Sequence, residues 1–415
     1  MDIAIVGTGI SGLGAAYLLN PHHNISVFEK NAYIGGHSRT IEVNKTVKPL
    51  AVDTGFIVFN DWNYPNLMGL FNLLDVPYQK SDMSFGVSID NGWLEYASGG
   101  LFAQKKNLTR MAYYRMLADV IRFNRQAQSY IDSDNDITLG RCLEELKMGD
   151  WFKRYYLLAM GAAIWSCPLD TVLQFPAKTF LRFFKNHGLL NLVRRPQWFT
   201  VSGGSREYIS RLTDSFKDKI QLNTAIKRVY KSNNKWCVVT QNGEEKLFDN
   251  VIFACHADEA MAMLDDATEQ QRQVIGAFSY QRNEIIVHSD ASFMPHQRRC
   301  WSSWVYLSEQ QHDNKPVVSL SYWMNNLQDL PHDLPVFVTL NPGRRPKPDL
   351  IIDEHVFSHP VFDVSAVTAQ TKIDDIQGIN GIWFCGAYQR YGFHEDGLLS
   401  AVNLCKKIGV AIPWH

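Results

Sequence analysis

Asp2-Ile3-Ala4-Ile5-Val6-Gly7-Thr8-Gly9-Ile10-Ser11-Gly12 opens the chain, and its pattern decides the fold. The run Asp2 to Val6 predicts a short buried strand, and Leu13, Ala16, Tyr17 and Leu19 predict the helix that follows. The glycines between them suit a strand-to-helix turn around a pyrophosphate. Gly7 permits the tight turn, Gly9 lets the backbone approach the phosphates, and Gly12 lets helix and strand pack closely. Ile10 and Ser11 fall at the helix start, where free N–H groups and the dipole favour an anion. A second apolar strand, Ile25 to Phe28, ends at Glu29, 22 residues after Gly7. An acid there accepts hydrogen bonds from an adenosine ribose. Lys30 is the one cation adjoining Glu29, which disfavours a 2′-phosphate. Together these features predict a dinucleotide-binding α/β domain.

The choice between NAD and FAD rests on Gly35-Gly36-His37-Ser38-Arg39-Thr40 and Val52-Asp53-Thr54-Gly55, followed by Phe56. Here the chain resembles the flavin-containing amine oxidase superfamily, which includes phytoene desaturases and protoporphyrinogen oxidases. In that superfamily a Gly-Gly-Arg-x-x-Thr segment lies along the flavin side of the cofactor. Gly35, Gly36 and Thr40 carry over directly. His37 stands where Arg is usual and Arg39 lies two places later, so either cation is a candidate for the cofactor contact.

The resemblance returns at Val201-Ser202-Gly203-Gly204-Ser205, and at Ile220 to Val229, where Ile226 would meet the adenine. It returns again at Val251-Ile252-Phe253-Ala254-Cys255. Last come Gly381-Ile382-Trp383-Phe384-Cys385-Gly386 and Gly397-Leu398-Leu399-Ser400-Ala401. This pattern implies non-covalent FAD and adds Ser38, Thr54, Gly55, Phe56, Cys255, Gly386, Ala387, Gly397, Leu398, Leu399 and Ala401 to the cofactor-binding set. Ala387 replaces the family's usual acid. A last helix starting near Gly397 would aim its N-terminus at the isoalloxazine and stabilise negative charge there.

The expected fold is therefore α/β: a discontinuous Rossmann-like FAD-binding domain with an inserted α+β substrate domain, amine-oxidase-like. The first comprises residues 1–80, 200–265 and 375–415, and the second comprises 81–199 and 266–374. In the first insert, Ser84 to Tyr96 has strand character around an Asp90-Asn91-Gly92 turn. Helices are expected over Leu108 to Ile131, Trp151 to Trp165 and Ala177 to Val193. In the second, Glu284 to His288, Val317 to Trp323 and Val336 to Leu340 alternate as strands.

Composition sets bounds on function. With 415 residues, 46% hydrophobic and 20% charged, the chain can bury a large core over two domains. A net charge of −1 argues against nucleic acid as a partner. Seven cysteines without a C-x-x-C pair suit reduced thiols in the cytoplasm. The apolar N-terminus starts with Asp2 and commits its glycines to the cofactor, unlike a signal peptide. The longest apolar run, Tyr155 to Trp165, is too short for a bilayer span of about 20 residues. His355 and His359 lie in an extended segment that would hold them about 13 Å apart, so no metal site is expected. No G-x-S-x-G elbow is present.

Two stretches segregate charge. Residues 171–206 carry Lys178, Arg182, Lys185, Arg194, Arg195 and Arg206 and no acid. Residues 96–118 carry Lys105, Lys106, Arg110 and Arg115, also without an acid. Bases among aromatics suit either a peripheral contact with the inner face of an anionic membrane or a solvated face over core residues. The loop between Gly386 and Gly397 should pass the flavin. On it, His394 is a candidate proton acceptor and Tyr391 a second catalytic candidate.

A closer resemblance is to bacterial FAD-binding proteins similar to the oxidase-like N-terminal domain of plant cyclopropane-fatty-acid synthases. It rests on Gly35-Gly36-His37, Phe175-Pro176-Ala177, His359-Pro360-Val361-Phe362 and Gly392-Phe393-His394-Glu395-Asp396-Gly397. It implies an FAD-dependent oxidoreductase acting on a hydrophobic substrate such as a membrane-lipid acyl chain, by desaturation, oxidation or isomerisation. The superfamily also implies amine oxidation, which usually places a Lys near flavin N5. Between 266 and 374 the lysines are Lys315, Lys347 and Lys372. A flavin-bound accessory protein for a lipid-modifying partner is the third alternative.

Overall fold

The first strand, Asp2–Val6, sits at the centre of a five-stranded parallel sheet in a computed structural model of the chain. The structure describes residues 1–44, 48–133, 137–165, 169–191, 196–310 and 316–414. Across the sheet the order is Ile220–Gln221, Asn24–Phe28, Asp2–Val6, Asn250–Phe253 and Ile382–Phe384. The chain thus leaves this sheet after Phe28 and returns three times. The helix Ile10–Leu19 makes the first crossover and is buried at every position except Tyr17. It is covered because the terminal helix His394–Ile408 lies against it. Glycines make that packing close: a Cβ on Gly14 would lie 2.7 Å from Leu398, and one on Gly397 would lie 2.8 Å from Ile10.

Strands from both intervening segments join one seven-stranded mixed sheet. Its order is Ile351–Val361, Ser279–His288, Phe337–Leu340, Pro316–Trp323, Trp304–Gln310, Phe85–Ile89 and Leu94–Ala97. Neighbours are antiparallel except for the parallel pair Trp304–Gln310 and Phe85–Ile89. Asp90, Asn91 and Gly92 all take left-handed φ in the turn that closes the Phe85–Ala97 hairpin. Helices Met111–Ile131 and Ala177–Asn186 pack together and share an apolar core with Val87, Ile89 and Tyr96 of this sheet.

Four expected elements need correction. Ile220 to Val229 is not one strand: it breaks at Leu222–Ala225, where Asn223 takes φ 50° and Thr224 N–H donates to the Glu29 carbonyl. Ile226–Ser232 then starts a separate antiparallel sheet with Lys235–Thr240 and Glu245–Phe248. The helix expected from Leu108 begins at Met111, after a 3-10 turn Lys105–Thr109 whose Asn107 side chain is tied to the Glu95 carbonyl. The helix from Ala177 stops at Asn186, because Gly188 turns left-handed and Leu189 N–H closes on the Phe184 carbonyl. Val193, its expected end, lies outside the described residues. The Trp151–Trp165 segment is helical but includes a π turn over Lys153–Leu157.

Asp53 locks the segments together. Its buried carboxylate accepts from Thr40 Oγ1 (2.6 Å), Ser205 N (2.9 Å), Ser205 Oγ (2.7 Å) and Gln328 Nε2 (3.0 Å). These partners come from the Gly35–Thr40 segment, the Val201–Ser205 re-entry and the second insert. Burial raises the Asp53 carboxyl to about 6, against the pull of these hydrogen bonds. Asp53→Ala would leave several buried donors unmet, each costing about 1–3 kcal/mol. We expect urea denaturation to show a loss of about 3 kcal/mol or more, and a smaller loss for Asp53→Asn, which keeps one acceptor. Unchanged stability in the Ala variant would contradict the locking role.

Candidate active site

The glycine turn has the shape its sequence implies. Gly7 takes φ +108°, and a Cβ on Gly12 would meet the Gly7 carbonyl oxygen at 2.0 Å. Gly9 differs: a Cβ there meets no protein atom within 4 Å. Gly9 caps the Ile10–Leu19 helix without a side-chain bond. The first-turn N–H groups of Ile10, Ser11 and Gly12 therefore face the open ground that a pyrophosphate would take.

Glu29 is buried at the end of the second strand. One carboxylate oxygen accepts from Thr8 N (3.1 Å) and the Thr8 hydroxyl. The other accepts from Asn31 N (2.9 Å) and Asn31 Nδ2 (2.8 Å). Ribose hydroxyls would therefore exchange with these protein donors. Lys30 points outward to Glu259, 2.6 Å away.

The two candidate cations part ways. Arg39 holds Asp353 through both terminal nitrogens, at 2.7 and 3.1 Å, so its charge is spent on the edge strand of the large sheet. His37 turns inward, stacked on Phe357 at 4.4 Å and tilted to His359 at 5.3 Å. Its Nε2 is covered and has no partner among the described residues. Burial, then the neighbouring His359, holds its pKa well below the ordinary value. Near this segment, Gly36 packs against Gly9, where an added Cβ would lie 3.1 Å from the Gly9 Cα, and Gly35 N–H donates to the Thr8 carbonyl. An orphaned polar nitrogen and open ground before Gly9 fit a dinucleotide.

Other expected contacts spread more widely. Thr40 and Thr54 serve the interior, Thr40 on Asp53 and Thr54 on the Arg39 carbonyl. Gly55 packs against the His37 carbonyl. Ile226 lies in the apolar core with Val6 and Phe28. Cys255 follows the Asn250–Phe253 strand, and burial pushes its thiol up. Gly386 N–H donates to Ser400 Oγ at 2.8 Å, and Ala387 begins a short turn ending at Gln389. Leu398, Leu399 and Ala401 follow Gly397 in the terminal helix, where Leu398 and Ala401 are buried.

The terminal helix starts at His394, three residues before the expected Gly397, so His394, Glu395 and Asp396 form its first turn rather than a loop. Each is committed to the protein. Glu395 accepts from Asn66 N, Asn66 Nδ2 and Leu67 N and so caps the Pro65–Leu73 helix. Asp396 accepts from Tyr391 N and Phe393 N, and burial raises it to about 7. His394 stacks on Phe56 at 3.8 Å, and its Nε2 lies 2.7 Å from Tyr208 Oη and 3.3 Å from Ser38 Oγ. Burial lowers His394 to about 3, so its ring is neutral near neutral pH. Tyr391 and Phe393 instead form an aromatic wall with Phe183, which lies 5.6 and 5.1 Å from them, and with His187. The sequence alone assigns neither Phe183 nor Tyr208 to the site. Phe183 sits among charge-segregated residues that read equally well as a surface, and nothing in the sequence ties Tyr208 to His394.

The sequence model of the NAD(P)-binding Rossmann-like domain matches residues 5–74. No curated protein matches the chain in sequence. Among solved structures, the CLA-producing fatty acid isomerase from P. acnes is similar at 14% identity and TM-score 0.70, covering 98% of both chains. Cyclohexylamine oxidase from Brevibacterium oxydans IH-35A is similar at 14% identity and TM-score 0.70, covering 98% of this chain and 99% of its own. Reduced UDP-galactopyranose mutase is similar at 14% identity and TM-score 0.68, with coverage of 98% and 93%. The fold is thus amine-oxidase-like over nearly the whole chain.

Two outcomes follow for the site. Gly9→Ala meets no protein atom, so it should fold with unchanged stability yet bind FAD about 100-fold more weakly, roughly 2.7 kcal/mol, by flavin fluorescence titration. Wild-type affinity would remove the pyrophosphate from this turn. His394 has a folded pKa of about 3 against 6.5 unfolded. The unfolded chain binds the proton more readily, so this contribution is present above 6.5 and lost as pH falls toward 3. His394→Phe should therefore lose less stability on acidification than the wild type, by denaturant titration across that window.

Proposed function

We propose that this chain is an FAD-dependent oxidoreductase that acts on a hydrophobic substrate, an acyl chain of a membrane lipid. The observation that carries the reading is the wall of Phe183, Tyr391 and Phe393 beside a terminal helix whose acids and histidine are turned into the protein. A wall of this kind takes an apolar chain and excludes water. Bound FAD would supply the hydride-accepting chemistry. The polypeptide binds the pyrophosphate at Gly9 and the helix start. It fixes the aromatic loop through Asp396 and keeps His394 neutral and immobile between Phe56 and Tyr208.

The fatty acid isomerase among the similar structures supports the acyl-chain reading, and the amine oxidases support the alternative. Against the alternative, Lys347 and Lys372 are exposed, far from the role of a buried lysine beside a flavin. Lys315 lies outside the described residues. A flavin-bound accessory role would give binding without turnover.

Anaerobic spectral titration of the FAD-loaded protein tests the choice. Vesicles with unsaturated or cyclopropane acyl chains should bleach the oxidised flavin band, and a panel of amines should leave it unchanged. Bleaching by an amine alone overturns the acyl-chain reading. No bleaching by either, with vesicles still bound, favours the accessory role.

A further inference from the structure

We propose that the turn and helix start at residues 101–115 form a docking surface for an anionic lipid bilayer. Five large apolar side chains stand out here: Met111 is 67% exposed, Leu108 52%, Tyr114 41%, and Leu101 and Phe102 39% each. Hydrogen bonds and ring contacts hold them outward. The Tyr113 hydroxyl donates to the Leu101 carbonyl at 2.6 Å, and the Tyr114 hydroxyl donates to the Leu108 carbonyl at 3.2 Å. Phe102 contacts Tyr113 and Tyr114, each at 5.7 Å between ring centres. The apolar tips are therefore preorganised, and exposing them to water has no structural return within the chain.

Charge selects the occupant. Lys105, Lys106 and Arg115 are exposed on the same turn and helix start and enter no ion pair among the described residues. The acids that flank the patch are engaged elsewhere. Glu95 is buried on the backbone N–H groups of His296 and Gln297, and Asp119 holds Arg122 and Gly149 N–H. Protein interfaces are depleted in lysine at their cores. A bilayer accepts apolar tips below the headgroups while lysine stems reach back to anionic phosphates. The second charge-segregated stretch does not join this surface through its rings, because Phe180, Phe183 and Phe184 are buried. It does link the surface to the site: helix Met111–Ile131 packs on helix Ala177–Asn186, whose Phe183 touches Tyr391 and Phe393. No helix among the described residues is long and apolar enough to cross a membrane, so contact here would be peripheral.

Co-sedimentation of the full chain with vesicles tests the surface without reference to turnover. Vesicles of phosphatidylcholine with phosphatidylglycerol should bind the protein at least tenfold more tightly than phosphatidylcholine alone, and added salt should weaken the binding. Lys105→Glu with Lys106→Glu should remove that preference, and Leu108→Ser with Met111→Ser should weaken binding to both vesicles while flavin content stays unchanged. Equal binding to the two vesicle types, or wild-type binding by both variants, would overturn the proposal. So would concentration-dependent self-association without lipid that Met111→Ser abolishes, which would assign the surface to a second copy of the chain. Vesicle binding without flavin bleaching would leave this surface standing and overturn only the acyl-chain reading.

Discussion

The close packing of the first helix against the terminal helix sets the constraint on which the rest of the structure depends. Gly14 and Gly397 let Leu398 and Ile10 approach to distances that any larger residue would forbid. Segments separated by nearly the whole sequence must therefore meet on one side of a parallel sheet. Once they do, the open turn at Gly9 faces the same region as the loop before His394. The large mixed sheet reaches the same region through its edge strand, where Asp353 holds Arg39 and Phe357 and His359 pack on His37.

A second constraint is electrostatic. The region holds His394, Asp396, Asp53 and His37, and burial pushes each of them toward its neutral form. Low local polarity penalises charge, and the backbone and hydroxyl donors only partly offset it. The result is a region whose histidines are neutral and whose two buried acids, Asp53 at about 6 and Asp396 at about 7, titrate close to neutral pH.

The glycine turn, the second strand and the Asp90–Gly92 hairpin were all legible in the sequence, because each rests on local backbone demands that few residues satisfy. The break at Asn223 was not. Ile220 to Val229 reads as one strand through its family resemblance, and tertiary contact with the Glu29–Asn31 corner divides it. The start of the terminal helix was within reach: Gly392 breaks the chain, and Glu395 and Asp396 place acids in a first turn, where the helix dipole favours them. The family motif at Gly397 falls one turn into that helix. The fate of Arg39 could not be read, since Asp353 lies 314 residues away. Nor could the partnership of His394 with Tyr208, 186 residues apart.

We propose that the Gly7–Gly12 turn and the terminal helix together hold a flavin dinucleotide without a covalent bond. Acid precipitation of the purified protein, followed by chromatographic and mass analysis of both fractions, tests it most directly. FAD should appear in the supernatant, equimolar with the chain, and the polypeptide should keep its unmodified mass. A nicotinamide dinucleotide in its place, or flavin retained on the precipitated chain, would contradict it.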